Sequence, residues 1–444
     1  MVAKVLVELS NKNIDKTFDY IVPDLFSSKV KVGVRVTVPF AHQILEGFVL
    51  EIRDDSSFSD LKEIIDVVDT DIILNPELLE LGKYIASITL STLISSYQVM
   101  LPKALKAKNG VTVSKKMNTY LVLNNSNIEV TNPKQKEIID LIKKKGKVLK
   151  KEASLISTSS VKTLLKNNIL KEIQEEVYRM NHEDTVTKKY PLTPLQQEAV
   201  SKVLDKKNTD TVFLIHGVTG SGKTEVYMEI IEKLLLEEKE SIVLVPEISL
   251  TEQIVSRFQK RFSNNIAILH SRLSDGEKYD EWRRIARGEV KIVIGARSAI
   301  FAPLKNIGVI IIDEEHTDSY KQDSCNPKYH ALDIAKWRSN YHKCPVVLGS
   351  ATPTLETYAR AKKNVYELIE LKERVNHKKM PDIQIVDMNQ EVKKNRSNFS
   401  SILIQNMNEV FERGEQVILL LNRRGYSSFV SCKNCGYTEK CPNC

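Results

Sequence analysis

A multidomain chain is expected, with a β-rich N-terminal part, a small basic helical part and a parallel α/β part built on a phosphate-binding loop. Three observations point there. Residues 1–105 hold short β-branched and aromatic runs broken by Pro, Gly, Asn and Asp, the texture of small antiparallel sheets. From about Tyr190, continuous apolar runs alternate with amphipathic stretches, as in a buried parallel sheet covered by helices. Between them, residues 131–190 carry 14 Lys and Arg against 8 Asp and Glu, so +6 of the chain's net +8 is concentrated there. At 444 residues the chain has room for roughly three domains. A composition of 42% hydrophobic and 27% charged residues excludes a disordered, collagen-like or coiled-coil protein.

Element by element, Val5–Val7, Phe18–Val22, Val34–Val38 and Phe48–Ile52 predict strands of a small barrel or sandwich. Asn75-Pro76-Glu77 is a cap-plus-Pro start for a helix with Leu78, Leu81 and Ile85 on one face. Residues 106–130 read as a linker with one strand, Tyr120–Leu123. In 131–190, Ile138, Ile139, Leu141 and Ile142, then Leu155, then Val161, Leu164 and Leu165 predict three short amphipathic helices. Ser157–Ser160 caps the third, and a strand over Ile169–Tyr178 follows. That order is similar to a winged helix-turn-helix. A solvated Lys-rich face, densest at Lys143, Lys144, Lys145, Lys147, Lys150 and Lys151, fits the same residues. In the α/β part, Val212–Ile215, Ile242–Val245, Ile266–Leu269, Ile292–Ile294, Val309–Ile312 and Val346–Leu348 predict strands. After about Glu373 a further unit begins, with a strand over Val417–Leu421. The expected domains are 1–105, 106–189, 190–372 and 373–444. The N-terminus lacks the apolar stretch and cleavage site of a signal peptide. Ile85–Ile94, the longest weakly polar stretch, is short and interrupted by Ser and Thr, so a soluble cytoplasmic protein without membrane contact is expected.

Gly217-Val218-Thr219-Gly220-Ser221-Gly222-Lys223-Thr224 fits G-x-x-x-x-G-K-[ST] in full, after a predicted strand and before a helix with Val226, Ile230 and Leu234 on one stripe. Glycines there let backbone N–H groups turn inward around phosphate oxygens, and the helix N-terminus adds positive potential. Lys223 is expected to reach the β- and γ-phosphates and Thr224 to ligate Mg²⁺. About ninety residues on, the apolar run Val309–Ile312 leads into Asp313-Glu314-Glu315-His316, placing carboxylates at a strand's C-terminal end, where α/β folds bind ligands. Asp313 is expected in the Mg²⁺ shell and Glu314 as the residue that orients and deprotonates the attacking water. Glu315 and His316 need other roles, such as relay to a nucleic-acid site.

Asp313–His316, with Gly349-Ser350-Ala351-Thr352-Pro353 downstream, resembles motifs II and III of superfamily 2 helicases. Leu244–Thr251, His270-Ser271 and Gly295–Pro303 resemble motifs Ia to Ic. Together with Leu421-Asn422-Arg423-Arg424-Gly425-Tyr426 and a C-terminal cysteine cluster, they resemble one family over essentially the whole chain: the primosomal protein N′ (PriA) replication-restart DNA helicases. The resemblance implies a 3′-end DNA-binding domain at the N-terminus, then a winged-helix domain. It implies next a RecA-like P-loop helicase lobe and the start of a second lobe with a zinc-binding insertion. It places an adenine-reading Gln at Gln196. It places a pocket for a terminal nucleotide at Phe18, Asp19, Tyr20 and Lys62. Ala41 stands where the family often has Gly, and its methyl would narrow that pocket. Between motifs II and III the family carries an aromatic loop that couples DNA to hydrolysis, here Ser319–His330. Its Tyr320, Lys328, Tyr329 and His330, with Arg297, are the expected DNA contacts. Aromatics interleaved with Lys suit stacking on bases and pairing with phosphates, although Tyr rings packed as a lid fit the same pattern.

Four of the chain's six cysteines fall in its last thirteen residues, as Cys432-x-x-Cys435 and Cys441-x-x-Cys444. Two thiolates from one tight turn bite a Zn²⁺, and two such knuckles supply a tetrahedron. The resemblance implies eight cysteines on two nested zincs, so each knuckle would pair with one further downstream. The function implied is an ATP-dependent 3′→5′ DNA helicase that recognises stalled or recombination-derived forks and initiates primosome assembly. Its partners would be forked and single-stranded DNA, single-stranded-DNA-binding protein and other primosome proteins. No Q-x-x-G-R-x-G-R-like arginine-finger segment is present, so a stretch that binds ATP and DNA but hydrolyses ATP poorly is expected. The alternative is an ATP-switched DNA-binding scaffold without unwinding.

Overall fold

The computed structural model describes residues 1–9, 15–55, 60–108, 113–124, 130–180, 189–247, 252–375, 381–395, 399–420, 430–431 and 437–439. They fall into two units, Met1–His377 and Lys378–Cys444. No helix among the described residues is long and apolar enough to cross a membrane.

The first unit opens with β1 (Val2–Val7), β2 (Thr17–Ile21), β3 (Arg35–Phe40), β4 (Gln43–Arg53) and β5 (Asp66–Val67). They form an antiparallel sheet in the order β2-β1-β4-β3-β5. Ala3, Val5, Val36, Val38 and Val49 fill its core, the inward half of each alternating strand. Helix α1 (Pro76–Thr89) begins as expected, with Asn75 Oδ1 accepting the Leu78 N–H at 2.8 Å. Helix α2 (Leu93–Met100) was not legible, because Ser and Thr dilute its apolar stripe.

The basic segment gives β6 (Met117–Leu123), α3 (Pro133–Lys145), β7 (Val148–Leu149), α4 (Lys150–Lys166) and β8 (Leu170–Glu176). The strands pair antiparallel in the order β7-β6-β8. Ser157 leaves helical geometry (φ −168°, ψ 112°), and its Oγ accepts the Ser160 N–H at 3.2 Å. The Ser157 cap therefore splits α4 into two segments, giving three helical pieces with α3.

The α/β part runs α5 (Pro194–Asp205), β9 (Val212–Gly217), α6 (Lys223–Leu236), β10 (Glu240–Leu244), α7 (Glu252–Phe262), β11 (Ile266–Leu269), α8 (Asp275–Arg287) and β12 (Ile292–Gly295). It continues with β13 (Ile307–Asp313), α9 (Ala331–His342), β14 (Val346–Ser350), α10 (Leu355–Lys362) and β15 (Glu367–Leu371). All seven strands are parallel, ordered β11-β12-β10-β13-β14-β9-β15. The sheet is buried on both faces. Phe213, Ile215, Val243 and Ile311 face one core with α5 and α6. Leu214, Ile242, Leu244 and Ile310 face the other.

That second core is shared with the N-terminal part. Leu6, Phe48, Leu74, Leu78, Leu81, Ile85 and Tyr97 belong to the same apolar cluster as Leu214, Ile310 and Ile334. At its edge Arg338 of α9, fully buried, donates Nε and Nη2 to Glu77 of α1 at 2.6 and 2.8 Å and Nη1 to the carbonyls of Ile300 and Ala302 at 2.6 and 3.0 Å. His342 Nε2 lies 3.0 Å from Glu77 Oε1.

The second unit holds α11 (Met388–Asn395), α12 (Ser401–Glu412) and the short pair β16 (Val430–Ser431) and β17 (Thr438–Glu439). The strand expected over Val417–Leu421 is not found in its described part. Residues 417–420 make no ladder, and Ile418 and Leu420 are exposed. An apolar run forms a strand only where a neighbour offers its backbone a partner, and no described residue does so here.

Candidate functional site

Strand β9 ends at Gly217, and the loop returns to open α6 at Lys223. Gly222 sits at φ +80°, and a Cβ there would lie 2.3 Å from Gln196 Nε2. The backbone therefore favours glycine at the helix cap, and a side chain there would also push against Gln196. Gln196 is buried. Its Oε1 accepts the Thr193 N–H at 2.9 Å, closing a capping box on α5, and its Nε2 donates to the Ser221 carbonyl at 2.8 Å. Gln196 thus ties α5 to the loop, and one lone pair and one hydrogen of its amide remain for a ligand. Lys223 is 9% exposed, with Nζ donating to the Gly217 carbonyl at 2.8 Å. Thr224 follows it in the first turn of α6. Ser221 Oγ is buried without a hydrogen-bond partner among the described residues. An orphaned hydroxyl, an inward lysine and a helix N-terminus fit a phosphate chain.

The acidic box lies at the same sheet edge. Asp313 ends β13 opposite Gly349 of β14, and Gly349 is opposite Ile215 of β9, so one strand separates the carboxylate from the loop. Tyr227, fully buried in α6, donates its hydroxyl to Asp313 Oδ1 at 3.0 Å. A Cβ at 349 would stand 1.6 Å from that hydroxyl, so the contact exists only because Gly349 is there. Burial and the adjacent Glu314 push the Asp313 carboxyl above its usual range, while the Tyr227 hydroxyl and the Lys223 ammonium act against them. A carboxylate in that condition favours an arriving divalent cation, which returns the missing countercharge.

Glu314, at φ +48°, turns aside from Asp313, and its Oε2 lies 3.5 Å from His316 Nδ1. His316 Nδ1 also lies 2.8 Å from Ser350 Oγ, which accepts the Thr352 N–H at 3.0 Å. Glu315 is buried and accepts the Thr354 N–H at 2.8 Å and the Thr357 hydroxyl at 3.0 Å. Glu315 therefore caps α10, and together with His316 it bolts the acidic box to the Ser350–Thr357 segment. Sequence reasoning offered both only a relay to a nucleic-acid site, since nothing in the local pattern names a partner about forty residues away.

The aromatic loop corrects an expectation. Tyr320 and Tyr329 are 1% and 4% exposed, so neither ring presents a face to a base. Tyr320 donates its hydroxyl to the Asp313 carbonyl at 2.6 Å, with the Leu244 carbonyl 3.1 Å away. Tyr329 packs edge-on against Phe301. Arg297 Nη1 donates to the carbonyls of Ser319 and Lys321 at 3.2 and 2.5 Å, and the guanidinium lies 5.8 Å from the Tyr329 ring. His330 Nδ1 accepts the Leu332 N–H at 3.1 Å and caps α9. Of the loop's expected contacts, Lys328 is on the surface. The tyrosines are buried because both rings pack into the core on this face of the sheet, and Tyr320 reaches the acidic box through the Asp313 carbonyl.

In the N-terminal sheet, Phe18, Asp19, Tyr20 and Lys62 line one cavity of about 460 Å³, together with Lys16, Phe40 and Ala41. Phe18 meets Phe40 edge-on at 4.9 Å, and the Lys16 ammonium stands 5.7 Å from the Phe18 ring. Tyr20 is buried and donates to the Pro39 carbonyl at 3.3 Å. Ala41, in the lining, turns the β3–β4 hairpin at φ +49°, a conformation glycine adopts without strain. Cys432, Cys435, Cys441 and Cys444 lie outside the described residues, as does Leu421–Tyr426.

The sequence matches the family models of the 3'DNA-binding domain (3'BD) over residues 4–102 and of DEAD/DEAH box helicases over residues 193–361. Replication restart protein PriA of Bacillus subtilis (strain 168) is 43% identical across 100% of this chain and 64% of its own length. The protein of the same name from Chlamydia pneumoniae is 35% identical across 100% of this chain and 61% of its own length. Among solved structures, RecG bound to a three-way DNA junction aligns with a TM-score of 0.31 and 22% identity over 43% of this chain and 24% of that one. The chain thus spans somewhat under two thirds of those relatives. Carrying a PriA-type 3′ DNA-binding domain followed by a DEAD/DEAH box helicase domain, it belongs to the PriA family of replication restart proteins.

Proposed function

We propose that this chain forms the ATP-binding and DNA-end-reading part of an ATP-dependent 3′→5′ DNA helicase acting at stalled or recombination-derived replication forks. One observation carries the reading: the Lys223 loop and Asp313 share one sheet edge with a single strand between them. Bound with Mg²⁺, ATP supplies the anhydride whose cleavage drives strand movement. Lys223 holds phosphate charge, Thr224 and Asp313 hold the cation, and Glu314 orients the water. The 460 Å³ cavity, with aromatic walls, Asp19 and Lys62, takes the terminal nucleotide of a 3′ end. The helices and sheet of residues 106–189 support a winged-helix reading, with the Lys-rich α3 terminus facing duplex phosphates. Lys328, on the surface of the loop, supports the strand from the motor side, and Arg297 and His330 hold that loop in place. Single-stranded-DNA-binding protein and other primosome proteins are its partners.

The experiment is ATP hydrolysis stimulated by forked DNA, compared with RNA of the same sequence. Forked DNA is expected to stimulate at least several-fold more. Equal or greater stimulation by RNA refutes the reading, as does failure of the protein to take up Mg-nucleotide at all. The cysteine donor set suits Zn²⁺. Metal analysis after extensive dialysis is expected to find bound zinc that is lost when Cys432 and Cys435 are replaced by serine; an unchanged metal content would remove zinc from the proposal.

A further inference from the structure

A second cavity, of about 300 Å³, lies at the C-terminal ends of β10, β11 and β12, on the half of the sheet away from the nucleotide loop. One wall is the α/β part, with Glu247, His270 and Lys278. The other is the tail of the N-terminal part, with Lys103 and Lys106. Those residues are not equally engaged. Lys103 pairs with Asp275 at 3.1 Å, and Lys278 donates to the Ser271 carbonyl at 3.1 Å. Lys106 is half-buried, and among the described residues no carboxylate lies within 4 Å of its ammonium. Burial pushes that ammonium below its ordinary range, with Cys325 acting against it and Lys108 nearby adding to it. His270 Nδ1 is buried without a hydrogen-bond partner among the described residues.

The tail is also held rigidly. Arg35, bidentate to Asp69 at 2.7 and 2.9 Å, donates Nη1 to the Lys106 carbonyl at 2.8 Å. Gln98 Nε2 donates to the Ala107 carbonyl at 3.0 Å, and the Lys108 N–H reaches Glu46 at 3.1 Å. Three hydrogen bonds from three elements fix the backbone that carries this partly buried cation, which has no carboxylate partner among the described residues. Such an arrangement costs free energy until an anion arrives.

Resting on the helicase reading above, we propose that Lys106, from outside the α/β part, completes a subsite for one backbone phosphate of the DNA strand, with His270 and Lys278 opposite it. The N-terminal part then supplies a contact to the strand in the motor's track as well as the pocket that reads its end.

The test is binding of a fluorescent oligo(dT) to the full chain at several salt concentrations. Each phosphate contact contributes about 0.7 to the slope of log K against log salt for a single strand. Lys106→Gln is expected to lower that slope by about 0.7 and weaken binding by about 3- to 10-fold at moderate salt, while Lys106→Arg retains both. Asp275→Asn, which removes a competing carboxylate, is expected to tighten binding about 2- to 5-fold and does not depend on the folding of the first variant. An unchanged slope in Lys106→Gln overturns the inference and leaves the helicase reading standing. Stabilisation by inorganic phosphate with that slope unchanged assigns the cavity to a free anion and likewise overturns it. A parent chain that binds no oligo(dT) overturns both.

Discussion

Lys223→Ala is expected to cut ATP hydrolysis at least about 100-fold while leaving the fold intact. The ammonium is nine-tenths buried at the mouth of a helix N-terminus and lies near enough to Asp313 to influence its ionisation. Charge developing on the transferring phosphoryl group meets it in a site with little water, where one such donor is worth about 10²–10³ in rate. Removing it from the resting protein is cheap by comparison, because its hydrogen bond goes to the loop's own Gly217 carbonyl. Hydrolysis, measured beside a thermal melt, separates the two effects. A variant that hydrolyses normally refutes the assignment, and one that unfolds early refutes the claim of a purely chemical role.

Arg338→Met is expected to destabilise the first unit by about 3–5 kcal/mol, since it leaves Glu77 charged in an apolar setting. The double variant Glu77→Leu with Arg338→Met should recover most of that loss, because a matched apolar pair replaces the ions. pH provides an independent check. Burial alone would raise the Glu77 carboxyl, yet Arg338 and His342 together hold it down to about 2. A depressed carboxyl stabilises fully above its ordinary range near 4.5 and loses that contribution as pH falls toward 2. In Arg338→Met the sign reverses. Glu77 then keeps only His342 to set against burial, so protonation relieves it more easily than in the parent, and the gap to the parent should narrow between pH 7 and pH 4. Urea unfolding at both values measures this; a gap that stays constant would show that the guanidinium acts through packing alone.

How far residues alone carried the structure depended on whether the deciding contact was local. Runs such as Val309–Ile312 and Ile292–Ile294 announced buried strands, since a parallel sheet needs apolar side chains on both faces. Asn75-Pro76 announced a helix start for the same local reason. β15 escaped notice because Glu367 and Glu370 interrupt an edge strand that is wetted on one side. In the candidate site, the glycine loop and Asp313 were legible from motif and context, and the lining of the N-terminal cavity from family resemblance. Orientation was not. Tyr320 and Tyr329 read as rings available for stacking, but which way a ring points is set by Arg297, Phe301 and the Asp313 carbonyl, all distant in sequence or on the backbone. The same holds for Glu315, whose partners are Thr354 and Thr357.

The apolar cluster that joins α1 and α2 to the sheet face has a consequence for how such proteins diverge. Two parts with separate interiors can exchange freely among relatives, joined at a linker. Here the seam passes through side chains on both sides, including Leu78, Leu81 and Tyr97 from one and Leu214, Ile310 and Ile334 from the other. A graft of the N-terminal part from a relative would succeed only if the recipient's sheet-facing residues travelled with it, so the N-terminal and α/β parts are bound to be inherited as a matched set.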